Sequence, residues 1–156
     1  MGLLDGKTIL VTGIANRWSI ASGIARRLHE HGAKLILTYQ GDRVEDAVRK
    51  HGDELGGAPL FECDVTNDDS LRALAAAVGK IDGLVHSIAY VKKEDLSGKV
   101  YTTSRDGFGM AMEISAYSLI ALVGHLVDNL NDGASVMALT YLGATQIGRA
   151  SCRERV

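Results

Sequence analysis

The sequence predicts an α/β protein built on a doubly wound parallel sheet, incomplete at about five strands. Short β-branched runs alternate five times with stretches of helical spacing, and the links between them are short. Alternation of this kind implies parallel strands joined by right-handed crossovers. Glycine marks the boundaries: 18 of 156 residues exceeds the usual ~7%, while proline appears once, at Pro59. Glycine without proline points to tight functional turns rather than linkers.

Lys7 to Thr12 (KTILVT) is an apolar run ending at Gly13, the first strand. From Ser19 the apolar residues take helical spacing, Ile20, Ile24 and Leu28, until Gly32 stops the helix. Lys34 to Tyr39 (KLILTY) is a second buried strand, and Asp42 to His51 a polar helix ended by Gly52. A third strand fits Leu60 to Cys63. Asn67 caps a helix whose Leu71, Leu74, Ala75 and Val78 share one face, closed by Gly79. Asp82-Gly83 turns into a fourth strand, Leu84 to Ser87, and residues 90–103 are a polar surface excursion. Ser104 opens a helical region to about Leu130, apolar nearly all round, as in a helix buried on two sides. Asn131-Asp132-Gly133 turns into a fifth strand, Ala134 to Leu139.

Composition narrows the function. With 46% apolar and 23% charged residues the chain can bury a core, which excludes a disordered or fibrous protein. The net charge of −2 offers no basic field for nucleic acid or an anionic membrane, so small ligands are expected. The start, MGLLDGK, has no secretory pattern, and the apolar stretch Ala116 to Val127, which contains His125, is shorter than the roughly 18 residues of a spanning helix. A cytoplasmic protein with reduced thiols at Cys63 and Cys152 is expected. His29, His31 and His51 are spaced like helix-surface residues, and no metal is expected.

In a doubly wound sheet the ligand lies at the carboxyl ends of the strands, near the switch in strand order. The first such end is Thr12 to Gly23. Gly13 permits a sharp turn, Ser19 can cap the helix or bond an anion, the helix N-terminus offers N–H groups to a pyrophosphate, and Gly23 permits close packing. A strict G-x-G-x-x-G is absent, so on these residues alone a plain strand-to-helix turn stays open beside a phosphate loop.

The stretch TGIANRWSIASGIA (12–25) resembles the nucleotide loop of the bacterial enoyl-acyl-carrier-protein reductases, a divergent branch of the short-chain dehydrogenases with a Rossmann-like fold. TYQ (38–40), CDV (63–65), HSIAY (86–90), EISAYSL (113–119) and LTYLGA (139–144) recur in family order and spacing, so the resemblance covers about residues 2–146. It implies reduction of trans-2-enoyl thioesters carried on acyl carrier protein, with NADH, in fatty-acid biosynthesis. It also implies cofactor contacts at Gly13, Ser19, Ile20, Gln40, Asp64, Val65, Ser87 and Ile88, a substrate contact at Val91, and Tyr141 as a tyrosine of the acyl pocket with a catalytic role. Gln40 with Asp42 leans to NADH, and Arg43 leaves NADPH open. His86 is expected to pack rather than catalyse, and Cys63 to be a buried small hydrophobe. The intact family forms homotetramers through the long apolar helix. A short-chain ketoreductase and a non-catalytic nucleotide-binding module are the alternatives.

The family's Tyr-x6-Lys pair has no counterpart: its tyrosine place falls on Ser151 and its lysine place beyond Val156. Residues 147–156 (IGRASCRERV) read as one frame of a common sequencing adaptor joined to a truncated gene. On that reading residues 1–146 are the amino-terminal part of a dinucleotide-binding domain and residues 147–156 a non-native tail, and the chain is expected to be inactive.

Overall fold

A computed structural model of the chain describes residues 2–96 and 99–141. One sheet contains β1 (Thr8–Val11), β2 (Lys34–Tyr39), β3 (Leu60–Glu62), β4 (Ile81–His86) and β5 (Leu130–Ala138). Its order is β3-β2-β1-β4-β5 and every pairing is parallel. The connecting helices are α1 (Ile20–Glu30), α2 (Asp42–Glu54), α3 (Asp68–Val78), α4 (Lys93–Leu96), α5 (Arg105–Met112) and α6 (Ser118–Leu126). Strand order reverses between β1 and β4, and a crevice opens there at the carboxyl ends.

Period-two alternation along the strands divides the interior into two cores. Ile9, Val11, Leu35, Leu37 and Val85 pack on one face with Ala21 and Ala25 of α1 and Val48 of α2. Leu10, Ile36 and Leu84 pack on the other with Leu71 and Leu74 of α3 and Leu122 and Leu126 of α6. Leu10, Leu37, Leu71 and Leu122 are essentially inaccessible. Truncating any of them to alanine costs about 2–5 kcal/mol.

Three boundaries differ from the sequence expectation, each because a packing or pairing contact outside the element decides it. Asp82-Gly83 is no turn but lies inside β4, where Gly83 pairs with Ile9 and a Cβ on it would stand 3.5 Å from the Ile9 side chain. Gly52 does not end α2; a Cβ there would meet a Leu60 methyl at 2.9 Å and the Ala58 carbonyl at 3.1 Å, so its role is close packing. Asn131-Asp132-Gly133 lies within β5 as a bulge: Ile81 pairs with Leu130 but Gly83 already with Ser135, and Gly133 turns the chain at φ 76°.

The excursion after β4 carries α4 and a short 3₁₀ turn, Val100–Thr102. From Arg105 the chain is helical to Asn129, through α5, one π turn at Glu113–Tyr117, α6, and a 3₁₀ turn at Val127–Asn129. This run of 25 residues is, by length and composition, long and apolar enough to cross a membrane, unlike the shorter stretch that apolarity alone marks out. Its inner side instead serves the second core, through Ala121, Leu122 and Leu126. Phe108, Met112, Ile120 and Val127 on the same run are exposed.

At the amino ends of the strands, the Asp82 carboxylate accepts from the Thr8 N–H at 2.9 Å, Lys7 Nζ at 3.1 Å and Asn131 Nδ2 at 3.2 Å, joining β1, β4 and β5. The Thr8 N–H first, then Lys7 and Asn131, hold this carboxyl below its ordinary 3.8. A group lowered on folding stabilises above its unfolded value and loses that contribution as pH falls through the folded one. Asp82→Asn is therefore expected to be less stable than wild type at neutral pH. Urea melts over a pH series should show the gap narrowing as the pH drops below 3.8; a gap independent of pH would refute the assignment.

Candidate functional site

The crevice is built first by Thr12, which is buried at the end of β1. Its N–H (2.9 Å) and its hydroxyl (3.0 Å) both donate to the Val85 carbonyl, fastening the end of β1 to β4. The next residue, Gly13, has φ +84°, and a Cβ on it would lie 1.9 Å from the Ser87 carbonyl oxygen. Only glycine fits both the backbone angle and the space. The loops after β1 and β4 thus touch, and a cavity of about 240 Å³ opens beside them.

Beyond Gly13 the loop is organised around one carbonyl. Asn16 C=O accepts from the Ser19 N–H (3.1 Å), the Ser19 hydroxyl (2.8 Å) and the Ser22 hydroxyl (2.6 Å), while Asn16 Oδ1 accepts from the Trp18 N–H at 2.8 Å. Ser19 stands at the N-cap of α1 with extended backbone, yet its hydroxyl bonds back to Asn16 instead of capping the helix. The Ser22 and Gly23 N–H groups bond to the Ser19 carbonyl at 3.0 and 3.3 Å, which leaves those of Ile20 and Ala21 for an outside acceptor, and the first turn holds no acidic residue. A helix N-terminus in this state favours an anion. Arg17 lies 4.4 Å from the Trp18 ring centroid, adding positive charge beside it.

Of the residues expected at the site, Gly13, Gln40, Val65, Ser87 and Ile88 line this one cavity. Ser19 and Ile20 lie at the adjoining start of α1. Asp64 borders a neighbouring open cleft with Val65 and Asn67. Its Oδ1 accepts from the Thr66 N–H (2.9 Å) and hydroxyl (2.7 Å), so the carboxylate shapes the turn after β3 as well as facing solvent. Val91 and Tyr141 do not line the cavity; Tyr141 is 67% exposed, two residues past Leu139, whose N–H donates to the His86 carbonyl at 3.1 Å. Residues 142–156, and with them Ser151, Cys152 and the tail, lie outside the described residues.

The structure adds residues that sequence did not single out. Thr38, Tyr39 and Val44 form the cavity wall beside Gln40, and Ile14 its floor next to Gly13. Ser22 is the least expected. Its one sequence signal is a hydroxyl at the buried, glycine-flanked start of an otherwise apolar helix face. His86 is buried and bonded through Nε2 to Ser118 Oγ at 2.7 Å, a packed histidine as expected.

Cys63 is buried and also lines the cavity. Burial first, and the Asp64 charge second, push its thiol up to about 11. At pH 8 it is protonated and a poor nucleophile. Peptide-resolved mass spectrometry after iodoacetamide should show Cys63 alkylated far more slowly in the folded chain than in urea, and faster as pH approaches 11; equal rates would contradict the packing.

The comparisons with known proteins agree with this architecture. The family described as "Enoyl-(Acyl carrier protein) reductase" matches residues 13–151. The NADH enoyl-[acyl-carrier-protein] reductase FabI of Bacillus cereus is 46% identical over 153 residues, covering 94% of this chain and 60% of that protein. FabI of Escherichia coli is 42% identical over 149 residues, covering 92% of this chain and 57% of its own length. The crystal structure of the Aquifex aeolicus enoyl-[acyl-carrier-protein] reductase (NADH) superposes with a TM-score of 0.88 at 41% identity, over 94% of this chain and 65% of that one. The Bacillus cereus reductase, solved with NADP+ and indole naphthyridinone, gives a TM-score of 0.88 at 46% identity, over 96% of this chain and 60% of that one. The chain thus spans about 60% of the length of its Bacillus cereus relative, and it belongs to the enoyl-acyl-carrier-protein reductase family.

Proposed function

We propose that the chain is the nucleotide-binding, amino-terminal part of an NADH-dependent enoyl-acyl-carrier-protein reductase of fatty-acid biosynthesis, acting in the cytoplasm. The observation that carries this is the contact at Gly13: a loop with no room for a Cβ, opening onto a cavity beside a helix start without acidic residues. Such a cradle fits a dinucleotide. Gly13, Ser19 and Ile20 are assigned to the diphosphate, Gln40 to the adenosine ribose, Asp64 and Val65 to the adenine, and Ser87 and Ile88 to the nicotinamide half. When bound, the nicotinamide supplies a hydride for the β-carbon of an enoyl thioester.

The chain's own part is to bind and orient. Gly13 and Ser87 bring two backbone segments against the ligand, while the α1 N-terminus neutralises phosphate charge. Gln40 accepts an unphosphorylated ribose, favouring NADH. Arg43, exposed in the first turn of α2, keeps NADPH as the second ligand to test. Val91 and Tyr141 are assigned to the acyl substrate on its carrier protein, with Tyr141 supporting the enolate oxygen that develops in reduction. No Tyr-x6-Lys pair exists in the sequence, and residues 142–156 contain neither tyrosine nor lysine. On this reading the chain binds NADH and does not turn over substrate. Residues 1–146 form the domain part and residues 147–156 the tail, although the family match reaches residue 151 and overlaps the start of that tail.

Fluorescence titration should show NADH binding, and a crotonyl thioester should leave the NADH absorbance unchanged. Absence of any nucleotide binding by the folded chain would end this reading, and turnover would remove the claim of inactivity. Gly13→Ala should lose NADH binding and cost about 1–3 kcal/mol of stability, because the substitution forces a side chain into a left-handed backbone against Ser87. The exposed stripe of Phe108, Met112 and Ile120 is the proposed subunit surface. Wild type should elute as an oligomer and Ile120→Glu as a smaller species; identical elution would place the interface elsewhere.

A further inference from the structure

The helical run from Arg105 to Asn129 changes pitch at its middle, where Glu113–Tyr117 form a π turn. A π turn is rare and recurs at functional sites. Here it presents two hydroxyls, three residues apart, to the segment that leaves β4.

Ser115 Oγ accepts from the Tyr90 N–H at 3.0 Å and donates to the Tyr90 carbonyl at 3.2 Å. Ser118, the first residue after the π turn, is fully buried and donates its hydroxyl to the Ile114 carbonyl at 2.6 Å. The Ser118 Oγ also lies 2.7 Å from His86 Nε2, in hydrogen-bonding contact. Burial lowers the pKa of the His86 ring. The two serines grip residues 86 and 90. Between these lie Ser87, Ile88 and Ala89, the three residues of this segment that line the cavity. From the opposite side the same segment abuts Gly13.

We propose that Ser115 and Ser118 are positioning residues of the cofactor cleft: through Tyr90 and His86 they hold the Ser87–Ala89 backbone where it meets the nicotinamide half of a dinucleotide. The proposal rests on the dinucleotide reading above. It adds that the apolar helix, besides closing a core and offering a surface, sets the shape of the cleft. It also gives the π turn a purpose, since the turn delivers both hydroxyls to one strand end.

The test uses the full chain with NADH and with ADP, which lacks the nicotinamide half. Ser115→Ala and Ser118→Ala should each weaken NADH about 5–10-fold, the worth of a hydrogen bond or slightly more, and leave ADP within about twofold. Ser115→Thr, which keeps the hydroxyl, should restore NADH affinity. A merely structural role would weaken both ligands in parallel with the folded fraction measured by circular dichroism. The ring-nitrogen chemical shifts of His86 should change in Ser118→Ala, and the Tyr90 amide should exchange faster in Ser115→Ala. Parallel changes for NADH and ADP, or unchanged NADH affinity in both alanine variants, would overturn the proposal alone. A wild-type chain that binds neither nucleotide would overturn the dinucleotide reading and this proposal with it.

Discussion

A side chain at residue 13 would collide with the Ser87 carbonyl at 1.9 Å, so the chain can leave β1 only as glycine if the two central strands are to end side by side. Most of the site follows from that single approach. Thr12, one residue earlier, spends both its N–H and its hydroxyl on the Val85 carbonyl, which fixes the heights of β1 and β4 relative to each other. Gly13 then sends the loop over the sheet edge at φ +84°, and the Asn16 carbonyl collects Ser19 and Ser22 to start α1 at a set distance. The Ile20 and Ala21 N–H groups of that helix therefore follow by a few residues the Gly13–Ala15 segment that lines the cavity.

The fold was legible where local chemistry decides it. Ile9, Leu10 and Val11 alternate between two cores as their period-two placement between two helical layers requires. Asn67 caps α3 as its side chain suggests, its Oδ1 accepting from the N–H of Asp69 at 2.9 Å. Legibility ended where a partner lies far along the chain. Asp82-Gly83 has the composition of a turn, yet Asp82 is engaged by Thr8, Lys7 and Asn131, and Gly83 sits against Ile9. Gly52 looks like a helix stop and is a contact with β3. The partners of Asp82 and Gly83 lie about 50 to 75 residues away, and those of Gly52, though only six to eight residues on, act through packing that composition does not reveal.

The candidate site divides along the same line. Gly13, Gln40, Val65, Ser87 and Ile88 follow strand ends, and in a parallel sheet strand ends share one edge, so sequence order alone brought them together. The Asn16–Ser22 bond and the Ser115 and Ser118 contacts depend on how loops and a π turn close, and spacing does not encode that closure. The resemblance supplied roles for residues already placed by topology; Ser22, Ser115 and Ser118 fall inside its motifs, but only the folded contacts show what their hydroxyls hold.

The distribution of burial bears on what this chain can do. Of the residues assigned to the nucleotide, Gly13, Gln40, Ser87 and Ile88 follow β1, β2 and β4, whose interior positions are nearly all buried and whose helices cover both faces, while Asp64 and Val65 follow the edge strand β3, which has no buried position. Of the residues assigned to the acyl substrate, Val91 follows β4, whereas Tyr141 lies past β5, which has no buried position and exposes Val136 and Met137, and Tyr141 itself is 67% exposed. A dinucleotide needs backbone segments held within ångströms of one another, and the covered half of the sheet provides that. An oxyanion contact needs its hydroxyl held equally firmly in a site that excludes water. Among the described residues, an exposed tyrosine past an edge strand without buried positions meets neither condition, which is the physical content of the proposal that nucleotide recognition and reduction separate in this chain.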